Sequence, residues 1–327
     1  MRYMIFLLTM VVVVSTSSNV VAQVDKEDKG DKEKKEKVLK LRSYEPNTAG
    51  WTVDDNDTGY LDFKLSLKYP MFHSGEYENM DSFKGTGLPF PFFAFTGRFS
   101  QYLFSRDSSP VIGKRFNPLI FFRYWYIDKN NYLDFGYGHE SNGQSVNTEK
   151  SYLDLRARLE AKGEDPDIGD DSLSRGWDYL HFSLRRTKED TIGKMSGYLN
   201  LKYFLKSGLL QGDAEEYNDW ERSSEGKERR EVDGISVIGK YSLTNKEKWL
   251  EATGGWMSGF KVAAILTTGY KNIFKNNTFR LEATFIIKDL PVMFWYSDGY
   301  MSDLADYHEK VSSFGIAFEL RDYIENL

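Results

Sequence analysis

The chain has 327 residues with 43 basic and 49 acidic side chains, a net charge of −6, and no stretch that gathers the basic residues into a patch. Nucleic-acid binding therefore has no support. Cysteine is absent, which removes disulfide frameworks and thiol chemistry. Tyr (21) and Phe (23) are abundant, yet no run approaches the roughly 20 apolar residues of a membrane helix, a combination that suits a membrane β-barrel with aromatic rims.

The first residues read as an export signal. Arg2 supplies a positive charge, Met4 to Val14 is a short apolar run, and Val20-Val21-Ala22 precedes a cut at Gln23, so residues 1–22 are expected to be a signal peptide. The polar run Ser15 to Asn19 fits a cleavage region better than an uncleaved anchor. Asp25 to Lys37 is nearly all charge and has nothing with which to build a core, so residues 23–43 are expected to form a charged, disordered leader. Residues 44–327 are expected to form one barrel domain.

From about Tyr60 the pattern changes to period two. Leu61, Phe63, Leu65, Leu67 and Tyr69 alternate with Asp62, Lys64, Ser66 and Lys68. The same alternation returns at Phe279 to Ile287 and at Phe314 to Leu320. Segments of the roughly nine to eleven residues needed by a tilted membrane strand begin near Tyr60, Leu88, Asn117, Asn130, Gly176, Lys194, Val232, Trp249, Phe260, Asn276, Leu290 and Lys310, about twelve in all. An even count is what a closed bacterial barrel demands. Short polar joints such as Asp128 to Asn131 supply turn chemistry, while Val146 to Arg175 and Ser207 to Glu231 are expected to be loops on the outer side. The predicted fold class is all-β, a transmembrane antiparallel β-barrel of about twelve strands. A soluble two-sheet sandwich also alternates, but it accommodates charges of both signs on its inner row poorly.

One strand carries the chemistry. In Leu133 to Ser141 (L-D-F-G-Y-G-H-E-S), alternation places Leu133, Phe135, Tyr137, His139 and Ser141 on one face. A histidine and a serine thus end an apolar row. If that row meets lipid, the pair is presented to the membrane. After the Val146 to Arg175 loop, Gly176 to Arg185 (G-W-D-Y-L-H-F-S-L-R) puts Asp178, Leu180, Phe182 and Leu184 on one face. His181 falls on the other and reads as an interior hydrogen-bonding residue. If the two strands are antiparallel neighbours, Asp178 meets His139 and Ser141 near the loop end. A serine hydroxyl needs an adjacent base to become a nucleophile, and the base needs a group to fix its tautomer. Ser141, His139 and Asp178 suit those roles. Taken singly, His139 also suits an aromatic-belt position and Asp178 a strand-end cap. No G-x-S-x-G elbow is present, so an α/β-hydrolase reading has no basis.

These residues resemble a known family. Tyr137-Gly138-His139-Glu140-Ser141-Asn142-Gly143-Gln144-Ser145, with Ser174-Arg175-Gly176-Trp177-Asp178 later, is similar to the active-site motif of outer membrane phospholipase A. Phe63 to Pro70 resembles that family's first strand, Asp107 to Leu119 the approach to its third, and Tyr296 to Tyr307 its C-terminal hairpin. The resemblance covers roughly Tyr44 to Ile324. It implies a twelve-stranded barrel in the outer membrane of a Gram-negative bacterium that hydrolyses acyl esters of membrane phospholipids and lysophospholipids, depends on calcium and is active as a homodimer. By position, Ser141 would be nucleophile and His139 general base. Ser174 and the backbone carbonyl of Gln144 would help hold calcium, with Ser108 supplied by the second chain.

The sequence also departs from the family. Asp178 stands where asparagine is usual, and the loop before Ser174 is longer and holds Asp165, Asp167, Asp170 and Asp171, which read as a solvated charge run or as added calcium ligands. The glutamine of the family's dimer contact has no clear match around Thr96 to Gln101. The rival expectation is a non-enzymatic barrel, a porin or structural protein, and a further one is a calcium-independent esterase.

Overall fold

Strict alternation of apolar and charged side chains needs a sheet with two unlike environments, and this chain provides them by closing a sheet on itself. The computed structural model describes residues 41–55, 59–71, 88–103, 111–128, 130–189, 191–221, 226–243, 246–288 and 290–320. Its strands are β1 (Asn47–Asp54), β2 (Gly59–Pro70), β3 (Phe90–Gln101), β4 (Val111–Trp125), β5 (Tyr132–Ser141) and β6 (Gly176–Glu189). They continue as β7 (Gly193–Phe204), β8 (Gly234–Leu243), β9 (Met257–Gly269), β10 (Asn277–Ile287), β11 (Leu290–Gly299) and β12 (Val311–Leu320). Each pairs antiparallel with its sequence neighbours, and β12 pairs with β1 through Phe314 opposite Val53 and Phe318 opposite Ala49. The fold is a closed 12-stranded antiparallel β-barrel. A two-residue strand, Arg42–Ser43, adds to β2 opposite Lys68 and Leu67.

The alternation sorts inside from outside. On β11, Phe294 and Tyr296 are 48% and 47% exposed, whereas Met293 and Trp295 are 6% and 7% exposed. Phe135, Leu180, Phe279, Leu281, Phe314, Ile316 and Phe318 join the outward apolar row. The inward row carries paired charges, as an enclosed charge must be paired to be tolerated. Arg123 donates to both carboxylate oxygens of Asp134 at 2.7 Å, Arg98 reaches Asp62 at 2.7 Å and Lys261 reaches Glu319 at 2.6 Å. A cavity of about 320 Å³ remains between these networks, lined by Glu45, Arg98, Arg115, Lys202 and His181 among others. His181 faces inward, with its Nε2 3.3 Å from the Tyr44 hydroxyl.

Two strand expectations are corrected. Trp249 starts no strand, because Lys246–Ala252 (K-E-K-W-L-E-A) forms a helix. Its sequence is rich in Lys, Glu, Leu and Ala, all strong helix formers. Conversely, Asn47–Asp54 (N-T-A-G-W-T-V-D) is a strand whose Thr, Ala and Gly blur the alternation. The count of about twelve holds because the two errors cancel. Phe63 to Pro70 consequently belongs to the second strand of the barrel, and β4 begins at Val111, ahead of Asn117, where Lys114 and Arg115 mask the pattern.

The loops that follow β5 and β7 lie at the same end of the barrel. The first contains α1 (Glu149–Lys162), started by the Thr148 cap that accepts from the Ser151 amide and ended by Gly163 in the left-handed region. The second contains the one-turn helix α2 (Arg229–Val232).

Candidate active site

The antiparallel register of β5 and β6 sets His139 directly opposite Asp178 and Ser141 directly opposite Gly176. All four share the outward face of Phe135 and Leu180, which are 43% and 50% exposed. His139 Nδ1 lies 2.7 Å from Asp178 Oδ1, a distance at which Nδ1–H donates to the carboxylate and leaves Nε2 as the proton acceptor. The Asp178 side chain is 1% exposed and that of His139 16% exposed, so the carboxylate is enclosed while the imidazole edge stays open.

What encloses Asp178 comes from the loop after β7. Ser207 and Asp213 form an antiparallel bridge, and the Gly208 amide donates to the Gln211 carbonyl at 3.0 Å, folding residues 207–213 into a tight hairpin. The hairpin lies over β6. Leu210 N and Gln211 N donate to Asp178 Oδ2 at 2.8 and 3.3 Å. The Tyr137 hydroxyl donates to the same oxygen at 2.5 Å and itself accepts from Leu209 N at 2.7 Å. A side chain on Gly208 would overlap the Asp178 carboxylate, so only glycine allows this approach. Asp178 therefore receives four donors, and a full negative charge at this position is satisfied by hydrogen bonds. The hairpin tip presents Leu209 and Leu210, 86% and 64% exposed.

No hydrogen bond joins Ser141 to His139 among the described residues. The two lie on one strand face about 6.6 Å apart along the chain, and catalytic contacts in substrate-free sites are commonly long and tighten on binding. Behind them, on the inner face, Glu140 accepts from Arg229 of α2 at 2.7 Å and from Lys202 at 3.1 Å, with Arg115 at 3.4 Å. The Arg229 guanidinium sits 4.7 Å from the Trp177 and Phe204 ring centres. The site strand is thereby clamped from inside the barrel.

The turn after Ser141 is ordered by Asn142. Its Oδ1 accepts from Arg175 N at 3.0 Å and Gln144 N at 3.2 Å, and its Nδ2 donates to the Leu173 carbonyl at 2.7 Å. This draws the Gln144 and Ser174 segments together, and Val146 bridges to Leu173. Ser174 Oγ donates to Glu215 Oε2 at 2.6 Å, and Glu215 N donates to the Gly176 carbonyl at 3.2 Å. Among the described residues no three His, Cys, Asp or Glu side chains gather as a metal site. The oxygens near Ser141 are instead a hydroxyl, backbone carbonyls and the Glu215 carboxylate, a hard donor set whose chemistry fits calcium. Ser108 lies outside the described residues.

The side chains of Asp165, Asp167 and Asp170 serve the loop's own fold, and Asp171 contributes its backbone carbonyl. Asp165 caps the short 3₁₀ helix Pro166–Ser172, Asp167 accepts from Arg156 at 2.9 Å, Asp170 accepts from the Tyr152 hydroxyl, and the Asp171 carbonyl accepts from the Gln144 side chain at 3.0 Å. Burial, followed by the bond to Asp170, pushes the Tyr152 phenol up to about 12.

Sequence reasoning located His139, Ser141 and Asp178 on the shared face but missed Tyr137, Glu215 and the 207–213 hairpin. The signal for the hairpin is Ser207-Gly208-Leu209-Leu210-Gln211-Gly212-Asp213, two leucines bracketed by turn-forming residues in an otherwise polar loop.

Solved structures with this architecture agree with the resemblance. The chain aligns with outer membrane phospholipase A from Escherichia coli carrying an active-site asparagine-to-alanine substitution, at a TM-score of 0.56 and 16% identity over 90% of this chain and 95% of that one. It aligns equally with another structure of the Escherichia coli protein (TM-score 0.56, 15% identity, 86% and 94% covered). The fold is that of outer membrane phospholipase A. A calcium-bound dimer of the Salmonella typhi outer membrane phospholipase also matches, with a TM-score of 0.56, 14% identity and 89% and 95% covered. No family model and no curated protein sequence matches the chain. At these identities the likeness to outer membrane phospholipase A is one of fold.

Proposed function

We propose that this chain is an outer-membrane phospholipase that hydrolyses acyl esters of phospholipids and lysophospholipids at its lipid-facing wall. The observation that carries the reading is the His139–Asp178 pair, joined at 2.7 Å on the outward apolar row two residues from Ser141. A hydrolytic dyad on that face has the membrane as its solvent, and phospholipid is the ester that solvent offers.

In the proposed mechanism Ser141 Oγ attacks the ester carbonyl carbon while its proton passes to His139 Nε2. The C=O π pair moves onto the carbonyl oxygen. Asp178 keeps Nδ1–H in place and stabilises the imidazolium. Collapse of the tetrahedral species breaks the bond to the lysolipid oxygen, which takes the proton from His139. Water then attacks the acyl-Ser141 ester by the same proton path and releases the fatty acid.

Calcium belongs to this proposal, and the Ser174 hydroxyl, the Gln144 backbone carbonyl and the Glu215 carboxylate would hold it. When bound it supplies polarisation of the ester carbonyl. Homodimerisation belongs to it too, supported by the dimeric Salmonella typhi relative. So do export by residues 1–22, a charged leader over residues 23–43 and residence in the outer membrane of a Gram-negative bacterium.

The test is hydrolysis of phospholipid in detergent micelles by wild type and Ser141→Ala, each with calcium and with chelator. Wild type with calcium should release fatty acid, chelator should suppress release, and Ser141→Ala should fall by at least about 10³-fold. Equal rates for wild type and Ser141→Ala would remove Ser141 from the chemistry, and chelator-insensitive turnover would remove calcium.

A further inference from the structure

We infer that the Gln211 side chain is a further catalytic group, a side-chain donor that meets the developing oxyanion when Ser141 attacks. The inference rests on the ester-hydrolase reading above and adds a residue to it.

Ser141 has one cross-strand neighbour on either side. On β4 it faces Phe116, an apolar ring with no proton to give. On β6 it faces Gly176, and a side chain there would overlap the Gln211 carboxamide, whose Oε1 lies nearest the Cβ position and whose Nε2 is 2.9 Å from it. Gln211 thus fills the outward space that Gly176 leaves empty. Directly opposed positions on one face bring Cβ atoms to about 5 Å, so the carboxamide stands beside the serine that would carry the tetrahedral carbon. A half-turn of the terminal amide exchanges its oxygen and NH₂ group, so it can present a donor to that side. In this structure Nε2 has only a 3.4 Å contact, to the Asp213 carbonyl, leaving donor capacity for substrate.

The position is fixed by the rest of the hairpin. The Gln211 backbone amide is on Asp178 and its carbonyl accepts from Gly208. One residue therefore touches both ends of the site, by its backbone at the carboxylate and by its side chain next to the nucleophile. When the Ser141 Oγ–carbon bond forms and the π pair moves onto the carbonyl oxygen, the Gln211 NH₂ donates to that oxygen. It gives up no proton, and the pair returns when the leaving oxygen departs.

Backbone and side-chain roles separate cleanly by substitution. Gln211→Ala and Gln211→Met both keep the amide on Asp178, and Met also keeps the volume over Gly176. Steady-state hydrolysis of a short-chain p-nitrophenyl ester by the full chain in calcium-containing detergent gives kcat and KM for each. Removal of one oxyanion donor lowers kcat by roughly 10²- to 10³-fold, so both variants should fall in that range with KM within about twofold of wild type. A Gln211→Met variant with wild-type kcat overturns the inference, whether or not Gln211→Ala is impaired, because the side chain would then serve only to fill space. A loss confined to KM overturns it as well. Wild type lacking Ser141-dependent turnover defeats the hydrolase reading itself, and this result is distinct from an active wild type with an equally active Gln211→Met.

Discussion

Asp178 is the residue where this chain parts from the pattern it resembles, and its surroundings account for the change. Four donors converge on the carboxylate: the His139 ring, the Tyr137 hydroxyl and the amides of Leu210 and Gln211. An asparagine here would have to turn its NH₂ group toward donors, leaving at least one unpaired. Such a loss in an enclosed position costs about 1–3 kcal/mol, or about 10- to 100-fold in rate if it falls on the transition state. Asp178→Asn is therefore expected to lower kcat by that factor although asparagine is the family's usual residue; unchanged kcat would show that the four-donor arrangement does not matter to turnover. The shared face of His139, Ser141 and Asp178 was legible because period two fixes parity along each strand. Tyr137 was legible only as an apolar-row residue, since nothing in its strand indicates that a loop will hydrogen-bond its hydroxyl.

At the level of elements, the loops at the site end were readable as interruptions but not in their internal structure. The reason is physical: the 207–213 hairpin holds Asp178 through the backbone amides of Leu210 and Gln211, which every residue has, so that contact marks the sequence only at Gly208, where a side chain would collide with the carboxylate. The segment after β11 illustrates the same limit from the side of charge. Burial, and then the nearby charges of Asp303, Asp171, Glu309 and Asp170, raise the Asp306 carboxyl well above its ordinary value. The folded state therefore binds this proton more tightly than the unfolded chain does. Stability from this group is present below the ordinary carboxylate value near 3.8 and is lost as pH rises through the higher folded value. Thermal unfolding in detergent should show a Tm that declines as pH rises above the ordinary carboxylate value, and Asp306→Asn should flatten that decline. An identical slope in the variant would exclude Asp306 as its source.

For the whole molecule, the alternating rows gave the architecture and the strand count, while the individual errors came where the rows are blurred, at Asn47–Asp54, or where a short helix carries Trp249 and Leu250 among charged residues, at Lys246–Ala252. A lipid-facing site needs the outer row to meet hydrocarbon. A charge placed on it, Phe294→Arg in the middle of β11, should then cost about 2–4 kcal/mol of folding free energy into phospholipid bilayers, measured by denaturant titration. A cost near zero would mean that this face meets water. The same requirement makes the site reachable from the bilayer, and covalent capture tests it most directly. A lipid-tailed fluorophosphonate, partitioned into vesicles that hold the folded protein, is followed by mass spectrometry of the chain. The expected result is one adduct, mapped to Ser141 and lost in His139→Ala. An adduct at another residue, or an unmodified chain that still releases fatty acid from the vesicles, would contradict it.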